Sequence, residues 1–154
     1  MKAKELYGKD LMIGDWLYSI IDRYDHIEKK PIKITGIRTD GNELLQGDDS
    51  DVWYHIETYE PIPLTAEILE KNGFERCVSS IARSSTAAIP ICNSNQFSCK
   101  GYGNLRIIDR GIWHFSLRTP VLCDTEKYEI HEIKYVHQLQ HALKLCNIEK
   151  EIEL

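Results

Sequence analysis

From residue 11 to residue 62 the chain never shows the 3.6-residue apolar period of a helix, and that absence constrains its fold more than any other feature. β-forming runs arrive instead, each broken by turn residues. Trp16-Leu17-Tyr18-Ser19-Ile20-Ile21 is rich in strand formers, and Ile32-Lys33-Ile34-Thr35-Gly36-Ile37 alternates apolar with small or polar residues. Asp40-Gly41 is a strong turn signal ahead of Glu43-Leu44-Leu45, and the polar turn Asp48-Asp49-Ser50 precedes Val52-Trp53-Tyr54-His55-Ile56. Four short strands at this spacing predict a small, strongly bent sheet or an SH3-like partial barrel.

Pro61 and Pro63 read as a stop to that sheet. A helix follows, with Thr65 as N-cap, Ala66 to Asn72 as its body, and Leu64 clasping Leu69 across the cap. Gly73 supplies the left-handed stop and lets Phe74 fold back onto Leu69. From Glu75 to Ile130 the β pattern is poorer. Cys77 to Ile81 reads as a strand, Asn93-Ser94-Asn95-Gln96 as a loop, and 105–108 with 112–117 as a hairpin joined by Asp109-Arg110-Gly111. Near the end, Val136, Leu139, Leu143 and Cys146 form the apolar stripe of a helix that Asn147 stops. Ile148 to Leu154 then alternates strictly, as an edge strand guarded by Glu149, Glu151 and Glu153.

The chain therefore reads as α+β. Residues 1–62 form a β-rich lobe; 63–154 hold a helix, an antiparallel sheet, a C-terminal helix and an edge strand, as a second lobe or as one continuous domain. At 154 residues such a chain buries about 70% of its unfolded surface, enough for a core without metal or disulfide staples.

Charge narrows the function classes. Nineteen basic against 24 acidic residues give a net of −5, which argues against nucleic acid as a partner. The one basic stretch is 75–119, with six cations against Glu75 and Asp109, so Arg106 and Arg110 become candidates for an anion-accepting surface. Reversing both charges tests that surface. The five cysteines (Cys77, Cys92, Cys99, Cys123, Cys146) contain no CxxC pair and read as reduced thiols of a cytoplasmic protein. No run approaches the ~18 apolar residues that span a bilayer, so no membrane contact is expected.

Three segments, 11–18, 60–74 and 135–154, carry a resemblance in wording and order: Leu11-Met12-Ile13-Gly14-Asp15-Trp16-Leu17-Tyr18, the run Glu60 to Phe74, and Tyr135-Val136-His137-Gln138-Leu139-Gln140 onward. They resemble a family of small uncharacterised proteins of gut anaerobic bacteria and their mobile elements. The resemblance implies a bacterial cytosolic setting linked to phages or transposons, and it brings no catalytic residues with it.

Chemistry-bearing constellations are few. His137 and His141 stand at i, i+4, the spacing at which a helix offers two metal ligands, with His131, Glu132, His114 or Cys123 as the third. A zincin needs Glu where this chain has Gln138, and both histidines fall opposite the apolar stripe with Gln140 and Lys144, so they are expected on an exposed polar face. Asp48-Asp49-Ser50-Asp51 lacks the sixth-position glycine of a calcium loop and reads as a solvated turn. Cys77 or Cys99 beside His114 would make a nucleophile pair, against the simpler reading of inert buried thiols. Trp53 and Tyr54 point to opposite faces of their strand, so one of them is expected outside the core and free to grip a partner. The expectation is a non-catalytic binding or accessory protein without cofactor, taking a protein or a small anionic ligand. The alternatives are a metal-dependent hydrolase built on His137, His141 and His131, or a nucleic-acid-linked regulator.

Overall fold

The computed structural model describes residues 6–76, 96–99, 102–109, 112–120 and 125–154. The chain divides into two compact units, Met1–Pro63 with Tyr135–His141, and Leu64–Lys134 with Ala142–Leu154. Two five-stranded antiparallel sheets and two α-helices among the described residues make it α+β.

In the first unit the strands are β1 (Trp16–Arg23), β2 (His26–Arg38), β3 (Leu44–Gly47), β4 (Trp53–His55) and β5 (Tyr59–Pro61), in the order β4-β3-β2-β1-β5. The long β2 serves two neighbours. Its first part pairs with β1 from Lys33↔Trp16 to His26↔Arg23, and its last residues pair with β3 from Ile34↔Gly47 to Arg38↔Leu44. The register slips between Ile34 and Gly36, and a bulge there turns the strand. The result is an antiparallel five-stranded sheet with an irregular register in β2, and the 3-10 turn Ile56–Thr58 leads into β5.

The side chains facing inward are Leu17, Ile32, Ile34, Leu45, Ile56 and Tyr59, all at most 5% exposed, with Leu6 and Leu11 beside them. Pro31 lies within β2 opposite Tyr18, but β3 reaches β2 only from Ile34 onward, so the missing N–H falls on an open edge. In the same way Pro61 fits its reading as a stop: it is the last residue of β5, an edge strand in which Pro61 stands opposite Leu17.

The second unit contains α1 (Ala66–Lys71) and the sheet β10-β9-β8-β7-β6, built from β6 (Phe74–Arg76), β7 (Gln96–Cys99), β8 (Tyr102–Asp109), β9 (Trp113–Pro120) and β10 (Thr125–Ile133). The expected cap and stop of α1 are present, and its expected apolar partners are buried. Thr65 Oγ1 accepts the Ile68 N–H at 3.4 Å, Gly73 takes φ +73°, and Leu64, Leu69 and Phe74 are buried. Gln96 is corrected from loop to strand: it opens β7, whose Phe97 is fully buried beside Ile107. Cys77 to Ile81 lies outside the described residues.

α2 (Val136–Leu145) buries Val136, Leu139 and Leu143 as the stripe requires. Asn147 adopts φ +54° and sends the Ile148 N–H back to the Leu143 carbonyl at 2.9 Å.

Beyond it the expected edge strand is corrected to an extended tail that joins neither sheet. Ile148 and Ile152 are buried while Glu149, Glu151 and Glu153 are exposed, so the alternation survives without the ladder. A side chain takes the place of a strand partner. Asn72 Nδ2 donates to the Glu153 carbonyl at 2.7 Å, and Asn72 Oδ1 accepts the Glu153 N–H at 2.8 Å. Replacing Asn72→Ala removes both hydrogen bonds from a part-buried stretch of backbone, at a cost of about 2 kcal/mol. Hydrogen exchange at the Glu153 amide checks this: protection lost in the variant supports it, and unchanged protection refutes it.

Candidate functional site

The outer face of the first unit's sheet carries one assembly. Register places Gly36, Gln46 and Trp53 in one row across β2, β3 and β4, and Arg38, Leu44 and His55 in the next. These residues share the face turned away from Leu45 and Ile37. The Trp53 indole reaches across β3 to lie on the backbone of Gly36: a Cβ there would stand 2.6 Å from Trp53 Cη2. Only glycine leaves that room, which is why a strand interior tolerates one here. Arg38 then stacks on the indole, its Cζ 4.7 Å from the ring centroid. The ring is half-buried and the guanidinium exposed. Tyr54 falls on the opposite side of β4 and is 46% exposed.

Beside this platform opens a cavity of about 470 Å³ lined by Thr35, Gln46, Gly47, Asp48, Asp49, Ser50 and Asp51. Gln46 thus belongs both to the Trp53 row and to the cavity wall. Asp49 pairs with Lys30 at 3.2 Å, and Asp48 Oδ1 accepts the backbone N–H of Lys33 at 3.0 Å. The acidic turn expected from the sequence is therefore solvated, and it forms one wall of a hollow.

A second assembly ties the start of α2 to the turn before β1. Gly14 takes φ +96° to make that turn. Gln140 reads its backbone from both sides, accepting the Trp16 N–H at 3.1 Å and donating to the Gly14 carbonyl at 2.9 Å. Asp15 is fully buried and accepts the Met12 N–H at 2.7 Å. His141 donates from Nε2 to the same carboxylate, 2.9 Å from each oxygen. His137 is 4% exposed, stacked on Tyr135 at 5.7 Å and edge-on to His141 at 5.8 Å. Its Nδ1 has no hydrogen-bond partner, and burial pushes its pKa down to about 4.

The expectation of two exposed histidines is thereby corrected. The helical period shows which residues share a face but not what covers it, and here a polar turn covers the polar face. Gln138, at the position a zincin gives to its general base, turns back to the Tyr135 N–H at 3.3 Å. Among the described residues no three ligand-type side chains converge as a metal site would need. Glu132 is exposed at a bulge in β10 with φ +68°, and His131 and Cys123 lie outside what the structure describes of side chains.

The remaining candidates are in the second unit. Arg106 is exposed on β8, in a row that runs Glu75, Ser98, Arg106, Ser116 by register. Arg110 lies outside the described residues. Cys99 is buried and its thiol is pushed up by that burial, so little thiolate is present to pair with His114; Cys77 is not described.

Fold and surfaces together define a small α+β protein with an open, cation-backed aromatic face. No protein-family model, curated protein or solved structure matches the chain. No helix among the described residues is long and apolar enough to cross a membrane.

Arg38, Gly36, Gln46 and Asp15 were not marked as functional by the sequence reading. Gly36 held a usable signal, because a glycine inside a β-rich run marks a place where another group lies on the backbone. Asp15 held none. Its partner His141 is 126 positions away.

Proposed function

We propose that this protein is a non-catalytic binding module that takes another protein on the outer face formed by Trp53, Arg38 and Gln46. The observation that carries the reading is the indole laid on Gly36 with a guanidinium stacked over it. A large aromatic held flat by backbone beneath and a cation above is a preorganised contact surface, and ordering it costs a partner little. By contrast, the histidines and the carboxylate with acid–base chemistry are committed to holding α2 on the Gly14–Trp16 turn. A nucleic acid fits the face poorly, since Asp48, Asp49 and Asp51 border it and repel phosphate.

The resemblance of segments 11–18, 60–74 and 135–154 to small proteins of gut anaerobic bacteria and their mobile elements gives the module its setting, an accessory protein of the bacterial cytoplasm. Two of those segments meet at Asp15 and His141, so their co-occurrence has a structural motive.

A photo-crosslinking amino acid placed at Val52, exposed beside Trp53, tests the reading in cells that carry the gene natively. A discrete crosslinked species that disappears with Trp53→Ala is expected. Crosslinking that survives Trp53→Ala refutes the reading.

A further inference from the structure

Resting on that reading, we infer that the ligand of this face is an extended protein segment bearing a basic side chain and a carboxylate about four residues apart. The basic group enters the cavity walled by Asp48, Asp49 and Asp51, and the carboxylate meets Arg38.

The face is electrically polar along the direction of β3. At one end Arg38 forms no ion pair with any described residue. Its guanidinium lies over the Trp53 ring at an exposed position, and a guanidinium can donate two parallel hydrogen bonds to a carboxylate. At the other end three aspartates line one hollow and Lys30 pairs with only one of them, Asp49. Asp51 is exposed and makes no hydrogen bond or ion pair with a described residue. A cavity of about 470 Å³ with uncompensated negative charge suits the end of a lysine or arginine side chain.

Register sets the spacing. Arg38 stands opposite Leu44; the cavity wall begins two residues further along β3 at Gln46, and its first aspartate, Asp48, is four residues from Leu44. At the rise of a strand four residues span about 13 Å, the distance between side chains four positions apart in an extended peptide, which point to the same side. Between the two charged ends lie the Trp53 ring and the Gln46 amide, one for the apolar part of the segment and one for its backbone. Groups spread along an open sheet face suit a chain rather than a small molecule, which an enclosed pocket would hold. A polyanion is excluded by the acidic end and a polycation by Arg38. The pattern selects a partner of both signs in a fixed order.

The test is a selection of random linear peptides displayed on phage against the intact protein, followed by affinity measurement on the enriched sequences. Enriched peptides that share a basic and an acidic side chain at a constant separation support the inference. Their affinity should then fall about tenfold in Arg38→Glu and again in Asp51→Lys, both substitutions at exposed positions. Enriched peptides without such a charge pair, or insensitive to both reversals, overturn the inference; if they still fail to bind Trp53→Ala, the reading of the face stands without it. No enrichment over an unrelated bait overturns both. A concentration-dependent dimer broken by Arg38→Glu would assign the face to a second copy of this chain and overturn the inference as well.

Discussion

Lowering the pH from 7 to 4 is expected to destabilise the protein by about 3 kcal/mol more than it destabilises a His137→Phe variant. Burial is the main reason His137 titrates near 4 rather than at its ordinary 6.5; the neighbouring His141 adds to the depression, and the charge of Asp15 works against it. In the unfolded chain the imidazole takes a proton at about its ordinary value. Between 6.5 and about 4 the unfolded state therefore binds a proton that the folded state refuses. The stability is complete above 6.5 and drains away as the pH falls through that window. Phenylalanine keeps an aromatic ring against Tyr135 and has nothing to titrate. Urea unfolding at both pH values, in parent and variant, measures the difference. Equal pH dependence in the two would mean that His137 is not buried as a neutral ring.

The substitution Asp15→Ala is expected to cost about 3 kcal/mol at neutral pH. Two donors converge on that carboxylate, the Met12 N–H at 2.7 Å and His141 Nε2 at 2.9 Å, and the side chain has no exposed surface. Alanine leaves both donors facing a void. Since His141 also loses the anion that orients it, the start of α2 loses one of its two links to the turn, and Gln140 remains as the other. Thermal unfolding measures the loss, and a two-dimensional amide spectrum locates it. A variant that melts within a degree or two of the parent would show that the pair contributes nothing net. His141→Ala separates the terms: paired with Asp15→Ala in a double-mutant cycle, it should show strong coupling.

What could be read in one dimension was local. Thr65 and Gly73 bound α1 within ten residues of one another, and the structure shows the cap bond of one and the left-handed φ of the other, with Leu64 and Leu69 buried. Asn147 stops α2 and Gly41 turns the chain at φ +97° for the same reason: a backbone that needs a left-handed residue must have one at that position. The strands of the first unit were legible because β-formers and turn residues alternate on a scale of a few residues. Pro61 was legible as the end of a strand, while the neighbour it lies against on the edge of the sheet was not. The tail misled, since an alternating pattern requires a buried side but not a hydrogen-bonded strand beside it.

The candidate site was legible only in part. Alternation put Trp53 and Tyr54 on opposite faces, but nothing near Trp53 in sequence names Gly36 as its seat or Arg38 as its cover. The histidine spacing was plain, and its meaning was inverted by a carboxylate near the other end of the chain.

The sequence alone determined where helices start and stop, where the chain turns, and which residues of each strand share a side, because each depends on torsion angles and periodicities set within a few residues. The tertiary structure alone decided which sides are covered and by what. Burying Asp15 beneath His141 and laying an indole on Gly36 are pairings between distant segments, and their energies exist only once the segments have met.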